Sequence, residues 1–426
     1  MRMSSTVYVL GAGASKASSN SFQGIRNPVD TDFFAAAYSI DWTQADQDDW
    51  TIPLKDLAAL QLYVKLFFKK ELTNIADIAR LSLEEVFSSI ESFKSWVKHL
   101  GGGFDWIDQK EEYSANDASL LKVLLGNKDI IVAFLKKYPF WPEIQNGTSM
   151  LIFDAFFNMA ERELKILIYN VFYLINKNAK CKLHDRFVSM VSENDLIISF
   201  NYDLIVDKTL IQTNKWFPET GYNFRMHSSS RYEINSTRDS LNIYLDWYCN
   251  EHFPQSKYRL LKLHGSLNWF KIEEKLPNSG KEHMYFIQPD LFHPNRNVES
   301  CRFKFISLFN PEEENYRIGK NSNAIVPPIV NKRKEFDPLS KFEIIWGSAL
   351  KGLAEANNII FIGYSLPPSD FHAKWLFRTG HALNSGKPTI KIVNPSESDA
   401  QRIRDIYSGA DFENRIESFE AFVGLK

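Results

Sequence analysis

Five short stretches of the sequence place glycine or small polar residues directly after an apolar run. The first is GAGAS, Gly11 to Ser15, behind the apolar Thr6 to Leu10. Glycines let a backbone approach a pyrophosphate, and the amides at a helix start supply donors. Gly11, Ala12, Gly13 and Ser15 are therefore candidates for a phosphate turn. The third glycine of the dinucleotide fingerprint is missing, with Ser15 and Lys16 in its place, and a tight turn without a ligand explains the motif equally well. Asp30 and Asp32 follow at about the twenty-residue interval of a ribose-binding acid, yet no second strand precedes them. Either one also reads as the N-cap of a helix starting at Phe33.

The second stretch is SFNYD, with Asn201 and Asp203 at a strand end. Ligands of open α/β sheets bind outside that edge, and an Asn amide can both donate to and accept from ribose hydroxyls. An Asx turn is the competing reading. The third, KLHGS, ends an apolar strand in His264, a side chain that titrates near neutrality and can serve as general base. A satisfied core histidine is the alternative. The fourth and fifth, GYSLPPSD and VNPSE, put Gly363, Ser365 and Asn394 at further strand ends, where small residues admit a ribose or phosphate. Asp370 reads as the cap of the next helix.

Other clusters point away from chemistry. His283, His293 and His372 lack the short paired spacing of a metal site, so no metal is expected. Glu84, Glu85 and Glu91 read as a solvated helix face and not as a glycosidase pair. Cys181, Cys249 and Cys301 are scattered and odd in number, which suits a reducing cytoplasm and excludes a four-cysteine zinc site within one chain. The balance of 50 Lys and Arg against 52 Asp and Glu gives a net charge of -2, so direct nucleic-acid binding along the whole chain is not expected. No apolar run approaches the length of a membrane span, and the start of the chain reads as a strand entering a turn, not as a signal peptide. There is no Walker A motif, so any ATP-driven step belongs to another chain.

The elements that must position these residues follow from periodicity. Short apolar strands alternate with helices at both ends of the sequence, which predicts an α/β fold: a Rossmann-like, doubly wound parallel sheet. From about Asp41 to Met190 the apolar residues recur at three and four, which predicts a large α-helical insertion. The expected organisation is a catalytic domain of residues 1-34 and 191-426 around a mainly helical insertion of 35-190. Strand character runs through Tyr258 to Phe270, and residues 271-323 give no assignment.

Taken in order, the five motifs resemble the sirtuin superfamily. GAGAS looks like its phosphate loop, Asp32-Phe33 like the Asp-Phe pair that follows, FNYD like its Asn-x-Asp element and KLHGS like its histidine segment. GYS and VNP resemble the two late segments around the adenosine half of NAD. The two CxxC pairs of sirtuin deacylases are missing, since residues 271-323 hold only Cys301. With LEEVFSSIE, SLNW, IVPP and FIGYSLP, the pattern resembles the NAD-hydrolysing sirtuin-like domains of bacterial anti-phage defence systems.

That resemblance implies an NAD glycohydrolase with NAD+ as substrate. Asn201 would hold the nicotinamide ribose or the attacking water, and His264 would act as base. Asp203 would meet the carboxamide. Gly11, Ala12, Gly13 and Ser15, with Asp32 and Phe33, would lie along the pyrophosphate side, and Gly363, Ser365 and Asn394 along the adenosine. Because an unrestrained NAD-consuming enzyme would be toxic, a homo-oligomer is expected, with its assembly or a separate partner such as a HerA/FtsK-type DNA-translocating ATPase setting the activity. A zinc-free NAD-dependent deacylase or ADP-ribosyltransferase is a second expectation, and a nonenzymatic nucleotide-sensing module a third. Apolar stretches such as LQLYVKLFF and IFDAFFNMA would either bury surface between subunits or pack on their own helices.

Overall fold

The computed structural model describes residues 5–18, 21–44, 52–79, 81–100, 115–145, 147, 149–176, 181–223, 227–237, 240–248, 255–276, 280–287, 322–325, 341–368 and 370–424. They divide into two compact units. One is drawn from Met1–Asp30, Val171–Phe303 and Ile318–Lys426, the other from Thr31–Asn170. The boundaries therefore fall at 30/31 and 170/171, not at the expected 34/35 and 190/191.

The first unit is built on six strands: β1 (Thr6–Leu10), β2 (Leu196–Ser199), β3 (Arg259–Lys262), β4 (Asn358–Ile362), β5 (Thr389–Val393) and β6 (Asp411–Phe412). All adjacent pairs are parallel, and the order across the sheet is β6-β5-β4-β1-β2-β3. This is the order of the doubly wound dinucleotide-binding fold, whose reversal point lies between β1 and β4. The α/β Rossmann-like expectation is borne out. The strands are nearly continuous apolar runs because helices flank the sheet: Val9, Ile197, Ile198, Leu260, Ile359, Ile362 and Ile390 are fully buried. The flanking helices include α1 (Ala12–Lys16), α2 (Lys182–Met190), α3 (Ile205–Gln212), α4 (Lys341–Glu355), α5 (Phe371–Leu383) and α6 (Glu397–Ile406).

The strand read through Tyr258 to Phe270 is in fact two. β3 stops at Lys262, Gly265 takes φ +80°, and the chain enters a second sheet at Gly265–Leu276. Only glycine adopts that φ without strain, so the residue after His264 lets the chain change sheets. The second sheet has five strands and includes Gly280–Ile287 and Ser322–Ile325, both antiparallel to Gly265–Leu276. It occupies part of the segment that periodicity left unassigned.

The second unit is helical around an aromatic core. Tyr63 lies 4.8 Å from Phe67 and 5.9 Å from Phe157, and Phe93 stacks on Phe157 at 5.5 Å. LQLYVKLFF and IFDAFFNMA therefore meet inside this unit, and Tyr63, Phe153, Phe156 and Phe157 are fully buried there. Glu91 is not on a solvated face: it pairs with Lys94 at 3.2 Å, and Lys94 also pairs with the half-buried Glu161. The Glu161 carboxyl is held down to about 2; burial pushes it up, but the charges of Lys165 and Lys94 win.

Candidate active site

Every strand-end candidate of the first unit lies at the carboxyl edge of its strand: Gly11 after β1, Asn201 after β2, His264 after β3, Gly363 after β4 and Asn394 after β5. In open α/β sheets this edge is where ligands bind. Three side chains there are joined directly. The Asn201 amide nitrogen donates to the Gly11 carbonyl at 2.9 Å and to Ser15 Oγ at 2.9 Å. Ser15 Oγ donates in turn to Asp203 Oδ2 at 2.6 Å, and Asp203 Oδ1 accepts from the Ile205 amide at 3.1 Å, opening α3. The phosphate-turn candidate and the Asn-x-Asp candidate thus form one network across β1 and β2. Asn201 Oδ1 is buried and has no hydrogen-bond partner among the described residues. A buried acceptor left unpaired costs about 1–3 kcal/mol, so this atom suits a ligand donor such as a hydroxyl or water.

His264 sits beside this network. Phe200 meets its ring edge-on at 5.0 Å and stacks on Tyr364 at 4.5 Å, so an aromatic wall fixes the imidazole. Its Nε2 lies 2.9 Å from Asp370 Oδ2, and Asp370 is fully buried. The other oxygen, Oδ1, accepts from the Ala373 amide at 3.1 Å and caps α5. The capping reading of Asp370 is correct and incomplete.

The network rests on a buried ion pair that the motif reading passed over. Lys262 Nζ pairs with Asp207 Oδ2 at 3.1 Å, both side chains fully buried, and donates to the carbonyl oxygens of Tyr202 and Asp203. Tyr222 OH donates to the other Asp207 oxygen. Burial pushes Asp207 up, against the pull of the Lys262 charge. Burial, and then the Asp207 charge, drives Tyr222 well above its usual range, which keeps it a donor. A lysine inside the otherwise apolar LLKL was the signal available: a buried ammonium requires a carboxylate.

The glycines have a role of their own. A Cβ on Gly11 would come within 2.5 Å of Tyr364 Cα, and one on Gly13 within 2.8 Å of Gly363 Cα. Gly363 itself has φ +58°, and a Cβ there would lie 2.2 Å from the Ala14 nitrogen. The amides of Gly11 and Gly13 donate to the carbonyls of Ile362 and Gly363 at 3.0 and 2.9 Å. These glycines therefore weld the β1 turn to the end of β4, and of this turn Ala12 is the exposed residue. Asn394 is likewise engaged: its nitrogen donates to the Tyr364 carbonyl at 3.1 Å and its oxygen accepts from the Ser396 amide at 2.9 Å. Ser365 is half-buried, and its carbonyl accepts from Arg402 Nε at 3.0 Å.

Asp32 and Phe33 belong to the helical unit, not to the sheet unit where they were expected. Phe33 opens helix Phe33–Ser39, fully buried and edge-on to Phe34 at 5.4 Å, so the pair serves that unit's core. Among the described residues, no group of three or more His, Cys, Asp or Glu side chains is placed to hold a metal ion. Cys249, Cys301 and His293 lie outside the described residues, and Cys181 is a buried thiol whose Sγ lies 3.1 Å from His184 Nδ1. Among the described residues, no helix is long and apolar enough to cross a membrane. The sequence matches no family model and no curated protein.

Proposed function

We propose that the chain is an NAD glycohydrolase, cleaving NAD+ to nicotinamide and ADP-ribose. The observation that carries this reading is the joined Ser15–Asn201–Asp203 network beside His264, at the carboxyl edge of a sheet in dinucleotide-fold order. The sirtuin-like order of the five motifs supports it independently of the geometry.

Breaking the nicotinamide–ribose bond builds positive charge on the ribose, as in other glycosyl transfers. The bonding electrons leave with the nicotinamide nitrogen, and water supplies the new bond to the ribose carbon. Asn201 is assigned to the water or the ribose hydroxyls through its unpaired Oδ1. His264 receives the proton released from the attacking water. The Asp203 carboxylate, aligned by Ser15 and the Ile205 amide, is assigned to the carboxamide. The pyrophosphate would lie over the exposed Ala12, with Gly11, Gly13 and Ser15 shaping the turn beneath it. Gly363, Ser365 and Asn394 would form the edge facing the adenosine half. No metal takes part in these steps. In this reading the protein is cytoplasmic and depletes NAD during anti-phage defence.

Purified full-length chain incubated with NAD, followed by chromatography, tests the proposal. Equimolar nicotinamide and ADP-ribose are expected, with yields unchanged by acetylated peptide. Intact NAD, or transfer of an acyl group or ADP-ribose to an acceptor, would contradict it.

A further inference from the structure

We propose that Asp370 is a positioning residue for His264, fixing the ring so that Nδ1 is the nitrogen that takes the proton. The proposal deepens the glycohydrolase reading and rests on it for its kinetic arm. An ionised carboxylate can only accept, and the start of a helix is where negative charge is stabilised. Asp370 stands at the start of α5, with Oδ1 already occupied by the Ala373 amide. Oδ2, 2.9 Å from His264 Nε2, therefore accepts from Nε2–H. A neutral imidazole carries one N–H, so Nδ1 is then the nitrogen without a proton.

The arrangement is that of a buried carboxylate behind a catalytic imidazole, which holds the tautomer and stabilises the imidazolium without itself taking the proton. When NAD is cleaved, one water proton would pass to Nδ1 as the water oxygen bonds to the ribose carbon. The Asp370 charge then faces the new imidazolium across the Nε2–H bond. The proton later leaves to solvent, so that NAD+ and water yield nicotinamide, ADP-ribose and one proton. Phe200, packed edge-on at 5.0 Å, restrains the ring from turning out of this pairing.

Two variants separate this role from the cap. Asp370→Asn keeps an oxygen for Ala373 but offers Nε2 an N–H, which forces the proton onto Nδ1. Asp370→Ser keeps a capping oxygen and removes the carboxylate. Nitrogen-15 spectra of the imidazoles, with the His264 signals assigned from His264→Gln, read the tautomer whether or not the chain turns over NAD. The expected result is Nε2–H in the wild type and Nδ1–H in Asp370→Asn. Asp370→Asn should lose about 10²–10⁴-fold in kcat, the range of a positioned base, with little change in KM. Asp370→Ser should lose kcat in the same direction. Nδ1–H in the wild type, or Asp370→Asn with wild-type kcat, would overturn the proposal. A wild type with Nε2–H that leaves NAD intact would overturn the glycohydrolase reading and leave the positioning role standing.

Discussion

Ser15 touches two of the proposed site residues at once, so its hydroxyl is the sharpest single-atom probe of the network. Ser15→Ala leaves Asp203 Oδ2 without that donor, and a loss of about 1–3 kcal/mol in urea unfolding is expected, together with slower nicotinamide release. Unchanged stability and turnover would mean that the network is idle. The glycine turn needs a different probe. Gly13→Ala drives a Cβ into the backbone of Gly363, so its activity loss would report packing, not phosphate contact. Ala12 is exposed, and Ala12→Glu should leave the melting temperature intact while raising the KM for NAD by like-charge repulsion. An unchanged KM would move the pyrophosphate away from this turn. At this scale the strand-end rule located Asn201, Asp203 and His264 from sequence. It could not find the partner of His264, because Asp370 lies 106 residues away and carries a local capping pattern of its own. It gave Asn394 a ligand role and missed its structural one: the side-chain nitrogen ties β5 to the Tyr364 carbonyl after β4, and the oxygen accepts from the Ser396 amide ahead of α6.

The strands of the sheet were legible as short apolar runs, and their parallel pairing follows from the alternation with helices. Strand order was not legible, since it depends on long crossovers that leave no local pattern. The end of β3 was misread because LHGSLNW keeps its apolar character while Gly265 turns the backbone. The element that most constrains the site is the Lys262–Asp207 pair between β3 and α3. Lys262→Met leaves a buried carboxylate facing no ammonium, and a loss of about 3–5 kcal/mol is expected from urea unfolding. Lys262→Met with Asp207→Leu should recover most of it, and no recovery would show that the loop contacts of Lys262 dominate. A second element carries a pH signature. Burial holds His184 of α2 down to about 3, against an ordinary 6.5. As pH falls from 6.5 toward 3 the unfolded chain binds a proton there that the folded chain refuses, so stability declines by up to about 1.4 kcal/mol per pH unit. His184→Gln should flatten the decline in urea midpoints measured between about pH 7 and about pH 5. An unaltered slope would place the decline elsewhere.

For the whole molecule, the helical unit buries the stripes once available for subunit contacts in its own aromatic core. A homo-oligomer and a HerA/FtsK-type ATPase partner remain proposals, and light scattering with turnover across a dilution series tests both assembly and gating. Constant, full specific activity of a monomer, unaltered by a co-encoded partner, would remove them. Catalysis itself is assigned to one unit and to one edge of one sheet. The most direct measurement is proton NMR of NAD with the full-length chain, following free nicotinamide in the wild type, Asn201→Ala and His264→Ala under identical conditions. Nicotinamide appearing with the wild type, and about 10²–10⁴-fold more slowly with each folded variant, is the predicted result. Equal rates in all three proteins, or no nicotinamide from the wild type at any concentration, would contradict the account.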